Sequence, residues 1–432
     1  MTSDQRAGLP PLPESMLPRD HALYRPRHSG RQRTALSCLG IFFFVPVLLA
    51  VVGVRPPEFE NRPLTPFPSP SDGFGFFTGM GKWATDHLPL RDHAVTLADS
   101  ISRGVFQEPY PFGQRHEGGP IEGGATKPED ESLDGVEIPR TSGFPLVVEG
   151  RDDWLYLGYD IQAACATDKT TEHVMGQLNK LRQGVESTGR KFVLTVAPNK
   201  TTAVPEQLPD SFLGSKCYAN MVEQFWAALP TTGAIDLRPG LEAAAAKAGG
   251  PVYFKNDTHW THDGGLVMVR ALADAIQPGA TASWKFSAEK DGELVGDLPK
   301  LVGRTQHSKV KAYKLAPDGE NVRSKAVTDD FKQPRHYTQA PTKGTVKAKV
   351  GLIGDSFSFT MASYFVGGFA DITMIHSELF NDDVAELGRR LADQDVVVLE
   401  AVERGLVSGT NPILNDDAID ELVAELAKKP RR

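Results

Sequence analysis

The chain has 432 residues, 40% of them apolar and 24% charged, enough for one large folded domain with extra segments or for two domains. Its formal net charge of −8 argues against a nucleic-acid partner, because binding phosphates needs a basic surface. The balance places no limit on small or neutral substrates.

Residues 1–34 are rich in proline and arginine, and are expected to be a disordered cytoplasmic tail. Residues 35–54 read ALSCLGIFFFVPVLLAVVGV and carry no charge. About twenty apolar residues match the width of a bilayer core, and a membrane helix tolerates Pro46. A soluble helix of this length would need a polar face, which the run lacks. Arg19, Arg25, Arg27, Arg31 and Arg33 precede it, so the N-terminus is expected inside and everything beyond Val54 outside. No small-residue cleavage site follows, which favours an uncleaved single-pass anchor in the cytoplasmic membrane over a signal peptide.

Residues 55–106 read as a membrane-proximal stalk. Its start is kept irregular by proline and glycine, and 76–106 is helical in pattern, with Val95, Leu97, Ile101 and Val105 at rough helical spacing. Residues 107–143 include GQRHEGGPIEGGATKPEDESLDG, a Gly-rich acidic linker. Cys38 lies in the membrane run. Cys165 and Cys217 remain as a pair in an oxidising compartment, and are expected to form one disulfide; two free buried thiols are the alternative.

The globular domain spans 144–425. FPLVVEG and WLYLG are expected to pair as a hairpin across Arg151-Asp152-Asp153. Continuous apolar runs at 191–198, 349–355, 371–376 and 395–401 have the length of strands buried on both faces. Helical patterns at 173–189, 218–229, 240–248 and 264–276 lie between or beside them, and 309–315 alternates like a strand. Strands alternating with helices predict a doubly wound α/β parallel sheet.

Gly354-Asp355-Ser356 follows the run KVGLI, so Ser356 is expected at the carboxyl end of a central strand. There the free amides of a starting helix could stabilise an oxyanion, although Ser356 could instead simply cap that helix. Asp257-Thr258-His259-Trp260 supplies what a serine nucleophile needs: an imidazole base and a carboxylate to orient it. Residues two apart share one side of an extended segment. Trp260 could wall the site against water. Thr261 fits the N-cap of the helix over 264–276, with Asp263 in its first turn. His262 is a rival base. A zinc site from His259, His262 and Asp257 is a weaker rival, because H-x-x-H without a second ligand pair is a poor zinc signature, and no metal is expected. Asn199 and Lys200 follow the run at 191–198, and Arg404 follows the run at 395–401. All three are candidates for lining a substrate pocket, with a plain turn and a surface ion pair as the alternatives.

These residues resemble a known family. GDS after a strand and D-x-H are similar to the blocks of SGNH hydrolases that supply serine, aspartate and histidine. Here Asp257 and His259 come about a hundred residues before Ser356, the reverse of the usual order. That permuted order, with NDTHWTHDGG, LIGDSF, ENRPL, DHLPLRD, GRDDWLYLG and APNKTTAVPEQLP, resembles the SGNH-like domain of bacterial polysaccharide O-acetylation proteins of the alginate O-acetyltransferase type. The resemblance runs over about 60–404. It implies a permuted SGNH-like sheet and an O-acetyltransferase with Ser356, His259 and Asp257 as its triad. It also implies a membrane-bound O-acyltransferase partner that supplies the acetyl group, with no cofactor of its own, and a glycan acceptor. Where ordinary SGNH enzymes carry an oxyanion asparagine and glycine, this chain has EAVERG and HSELFN, which leaves only the Ser356 amide assigned to the oxyanion. A carbohydrate acetyl esterase with the same triad, or a non-catalytic glycan-binding assembly protein, are the alternatives.

Overall fold

The computed structural model describes residues 30–54, 67–69, 74–87, 89, 131–133, 136–138, 144–167, 169–302, 304–327, 329 and 331–431. The chain divides into two compact units, Met1–Val95 and Thr96–Arg432.

In the first unit the run at 35–54 falls largely on a helix, Gly30–Val51. Several of its side chains lie outside the described residues. Counted over the described residues alone, no helix is long and apolar enough to cross a membrane. A second helix, Phe74–Asp86, overlaps the start of the expected stalk helix, and its Trp83 meets Phe67 edge to face. The rest of the stalk, the tail at 1–29 and most of the linker lie outside the described residues. Within the linker, Glu131–Leu133 and Val136–Ile138 pair antiparallel.

The second unit is built on six strands: β1 (Lys191–Ala197), β2 (Ile235–Asp236), β3 (Arg335–Thr338), β4 (Val346–Gly354), β5 (Phe369–His376) and β6 (Val396–Val402). Their spatial order is β3-β5-β4-β6-β1-β2. β5, β4, β6, β1 and β2 are parallel, with Leu352 opposite Val398 and Glu400 opposite Thr195. β3 runs antiparallel to β5 at the edge, so the sheet is mixed, where a wholly parallel one was expected. An edge strand needs no crossover helix and little apolar content. Arg335-His336-Tyr337-Thr338 has neither a helix before it nor an apolar run.

Alternate side chains of the central strands enter two separate cores. Leu194, Ile353, Val397 and Leu399 meet the helices Thr171–Ser187, Val384–Leu391 and Asp416–Ala427 on one face. Val193, Leu352, Met374 and Val398 meet the helix His262–Ile276 on the other. Burial on both faces is why these strands read as continuous apolar runs. The expected helices form with small shifts at their ends. Thr170 caps the first by accepting from the His173 amide, and Thr261 caps the helix His262–Ile276 by accepting from Gly264.

The expected hairpin forms between Val147–Glu149 and Leu155–Leu157, with Asp152 and Asp153 in left-handed turn conformations. The alternation at 309–315 resolves into two strands in separate hairpins. His307–Val310 pairs with Gly292–Val295, and Tyr313–Ala316 pairs with Lys285–Ala288.

Cys165 and Cys217 form a disulfide with Cα atoms 5.4 Å apart, joining the helix Gly158–Cys165 to the helix Ser215–Ala228. The bridge closes a loop of 52 residues, for which chain entropy gives about 2–4 kcal/mol of stabilisation. Replacing both cysteines by alanine should lower the unfolding free energy by that amount, read as a fall in the urea midpoint against wild type, and added reductant should then leave the variant's midpoint unchanged.

Candidate active site

Three chain ends meet at the carboxyl edge of the sheet. Asp355-Ser356 follows β4, Glu403-Arg404 follows β6, and Asn199-Lys200 follows β1. Asp355 joins two of them. One carboxylate oxygen accepts from the Phe357 amide at 3.0 Å, capping the short helix Ser356–Phe359; the other accepts from the Val402 amide at 2.9 Å, fixing the end of β6. Gly354 is required at this turn. A Cβ there would lie 2.8 Å from the Ser358 hydroxyl and 3.1 Å from the Glu400 carboxyl.

The loop carrying Asp257 and His259 is closed by its own backbone. The Phe254 amide donates to the His259 carbonyl, and the Thr261 amide donates to the Val252 carbonyl. Tyr253 and Trp260 face each other across this narrow bridge. The loop brings His259 Nε2 to 2.7 Å from Ser356 Oγ. On the far side of the ring, Nδ1 lies 2.7 Å from Asp257 Oδ1, which also accepts from the His259 amide at 2.9 Å. Burial alone would push the Asp257 carboxyl up, but the adjacent His259 and the hydrogen bonds from His259 and the Asp297 amide hold it below its usual range. An ionised carboxylate only accepts, so Nδ1 carries the proton and Nε2 is left to accept from the serine hydroxyl. The His259 side chain is 13% exposed and that of Asp257 5%. Ser356 is half-buried.

Trp260 is fully buried. It donates Nε1–H to the Phe357 carbonyl at 3.2 Å and packs edge to face on the Phe357 ring. It braces the residue after the serine from behind rather than walling an open pocket. His262 turns away from the serine, with its Nδ1 2.6 Å from the Tyr364 hydroxyl. The geometry therefore selects His259 as the serine's partner. The rival zinc set of His259, His262 and Asp257 is not what the loop brings together. Asp257, His259 and Asp297 each present a ligand atom within 4.8 Å of the others, but hydrogen bonds within the chain engage all three.

Asn199, Lys200 and Arg404 do not line an open pocket. Their exposures are 1%, 1% and 5%. Asn199 accepts from the Arg404 amide and donates its own amide to Glu403. Arg404 lies 3.7 Å from Asp160 and over the Phe357 ring. The Lys200 ammonium donates to the carbonyls of Asp257 at 2.6 Å, Phe254 at 3.1 Å and Lys255 at 3.4 Å. These three bonds match its three donors, and the rings of Trp154 and Tyr156 lie beside it. Their polarity suggested contact with a substrate. The burial of the strand ends turns it instead toward holding the loop.

Sequence reasoning missed the buried acids beneath the site. Asp160 is raised to about 6 by burial against the lowering pull of Arg404, and Glu403 to about 7 by burial. Glu400 accepts from the Ser358 hydroxyl at 2.7 Å and the Asp355 amide at 3.2 Å, and burial and the neighbouring Asp355 hold it well above its usual range. Asp297, in VGDLPKL, supports the Asp257 loop. None carries a motif. The one available signal was an acid placed directly in or after an apolar strand, as at Glu400 and Glu403. For the oxyanion, the Ser377 amide is committed to the Gly354 carbonyl and the Arg404 amide to Asn199. The Ser356 amide makes no such bond among the described residues.

A serine at the end of a central parallel strand, facing an imidazole and carboxylate from another segment, is a Ser-His-Asp arrangement on an α/β sheet. The family follows from comparison. The model described as "SGNH hydrolase-like domain, acetyltransferase AlgX" matches residues 147–372, just over half the chain, and the chain belongs to that family. Among curated relatives, a probable alginate O-acetylase AlgJ of Pseudomonas syringae pv. tomato is 35% identical over 136 residues, 31% of this chain and 34% of that protein. One from Pseudomonas fluorescens is 32% identical over 164 residues, 36% of this chain and 41% of that protein. The matches thus span between a third and two fifths of these relatives' length. Among solved structures, the O-acetyltransferase domain of Pseudomonas putida AlgJ is 22% identical, covering 65% of this chain and 99% of that one, with a TM-score of 0.43. Bacillus cereus PatB1 is 16% identical, covering 62% and 98%, with a TM-score of 0.42.

Lys200→Met should lower both the melting temperature and turnover of an acetyl ester. It leaves the buried Phe254 and Asp257 carbonyls without their lysine donor and frees the Asp257 backbone, while the Lys255 carbonyl keeps the Leu155 amide, so about a tenfold or larger fall in kcat is expected. Thermal melts and steady-state kinetics on the full chain check this, and an unchanged kcat would show that the lysine does not hold the site.

Proposed function

We propose that this chain is an extracytoplasmic serine O-acetyltransferase that moves acetyl groups onto hydroxyls of a cell-surface or secreted glycan. One observation carries the reading: Ser356, His259 and Asp257 form an unbroken hydrogen-bonded series with 2.7 Å at each side-chain step.

In the first half-reaction His259 Nε2 takes the proton of Ser356 as its oxygen attacks the acetyl carbonyl of the donor. The Ser356 amide, at the start of its helix, faces the developing oxyanion. Asp257 stabilises the imidazolium, which then protonates the leaving group. In the second half, His259 takes the proton of a sugar hydroxyl, which attacks the acyl-serine; the imidazolium then returns that proton to the departing Ser356 oxygen, releasing the acetylated glycan. Atoms and protons balance without a metal or cofactor.

Support for the acetyl group and the glycan comes from the family and from the curated relatives' description as probable alginate O-acetylases. Support for the membrane comes from the uncharged run at 35–54 and the arginines before it. On the helix Gly30–Val51, Leu36, Leu39, Ile41, Phe43, Phe44 and Leu48 are each more than half exposed, which suits a lipid surround. An anchor of this kind would hold the domain beside a membrane-bound O-acyltransferase able to pass acetyl groups outward, and such an enzyme is the proposed donor.

Ser356→Ala should lower acetyl transfer from an activated acetyl ester to glycan oligomers by about a thousandfold or more, with the melting temperature unchanged. The assay follows acetylated oligomer by mass spectrometry and free acetate in parallel, using the full-length chain in detergent. Acetate release that added glycan does not divert would favour the esterase. Unchanged transfer in the alanine variant would end the serine mechanism.

A further inference from the structure

Asp297 lies forty residues beyond Asp257 in the chain, yet it bonds both Asp257 and Thr258 of that loop. Its amide donates to Asp257 Oδ2 at 3.1 Å. Its carboxylate accepts from the Thr258 amide at 2.9 Å and from the Thr258 hydroxyl at 2.5 Å. One of its oxygens also lies 3.8 Å from His259 Nδ1. Asp257 thus spends one oxygen on the histidine and the other on Asp297, and Thr258 between them is held twice.

The segment before it is built to deliver this contact. Asp297 starts a short helix, Asp297–Leu301, directly after the strand Gly292–Val295. Gly296 lies between them against the Asn256 backbone; a Cβ there would fall 2.1 Å from the Asn256 carbonyl oxygen. On the partner strand, the Ser308 hydroxyl donates to the Asn256 side chain at 2.5 Å. Leu298, Leu301 and Val302 bury themselves with Leu155 and Leu157 of the first hairpin, anchoring the segment independently of the loop.

We propose that Asp297 is the positioning residue of this site, a second carboxylate that fixes Asp257 and Thr258 and adds negative charge behind the His259 ring. The inference rests on the triad reading above. An imidazole flanked by two carboxylates is better able to hold the proton it takes from serine, provided that at least one of them is ionised. Burial and the neighbouring Asp257 push the Asp297 carboxyl up, with His259, Thr258 and Lys200 pulling it back. Asp257 therefore stays the primary carboxylate, and Asp297 holds it in place.

The test uses the full chain and an acetyl ester, with Asp297→Asn, Asp297→Ala, Ser356→Ala and wild type run together. Asp297→Asn keeps an acceptor for Thr258 and removes the charge. It should lower kcat about tenfold with KM within about threefold, and should move the acid limb of the kcat/KM profile to lower pH by about one unit, the shift expected from removing a charge at this distance. Asp297→Ala, which also releases Thr258, should cost about a further tenfold. A purely structural role predicts lower melting temperatures in both variants with the acid limb unmoved, and that result would overturn the proposal. So would wild-type kinetics in Asp297→Asn, or failure of both variants to fold. Should Ser356→Ala retain wild-type turnover, the triad itself falls, a result separable from any effect at Asp297.

Discussion

An imidazole that must gain and lose a proton beside a serine has to be kept partly dry, and the groups that hold it must then be satisfied without water. That constraint shapes the carboxyl edge of this sheet. Lys200 bonds three carbonyls. Asp355 takes two amides, Asp257 takes an amide on each oxygen, and Glu403 takes an amide and a hydroxyl. Each of these buried groups is met by backbone dipoles, and Glu403 by a hydroxyl as well. Backbone groups are fixed by the strands that carry them, so the polar layer inherits the sheet's rigidity. One buried ion pair, Arg404 with Asp160, sits 3.7 Å apart.

The same constraint explains how a reversed chain order can build one site. β4 delivers the serine, β6 and β1 lie beside it, and the Asp257 loop leads into the helix His262–Ile276 that covers the adjoining face. What matters is that these four pieces end at one edge, and the order in which the chain visits them is free. Asp355 bonded to Val402, and Asn199 bonded to Arg404, link neighbouring strand ends that are far apart in sequence.

Much of this was legible in the residues. β1, β4, β5 and β6 announce themselves as apolar runs because both faces are buried. Ser356 follows such a run, and Asp257 and His259 stand two apart before a clear helix cap. The two-residue strand β2 and the polar edge strand β3 carry no such pattern. Side-chain destination was the harder part. Asn199, Lys200 and Arg404 are polar residues just past strand ends, where substrate contacts are common, and nothing in their spacing reveals that Trp154, Tyr156 and Phe357 close over them. Asp297 was invisible for a related reason. Its role is set by the tertiary course of a hairpin forty residues downstream, which no local periodicity encodes.

The arrangement also bears on how one triad can serve transfer instead of hydrolysis. The side of His259 facing Asp257 is sealed, and Trp260 seals the residue after the serine from beneath. Ser356 itself stays partly exposed, and in the segment that follows it Phe359 is half-buried and Thr360 exposed. Phe359 packs at a tilt against Phe331 and His376, which gives that segment an apolar side. Under the proposed transfer, a sugar ring would set its C–H face against this aromatic side and its hydroxyl toward the imidazole. Selection of the acceptor would then rest on what binds beside Ser356, since the hydrogen-bonded series behind it is the same for either outcome.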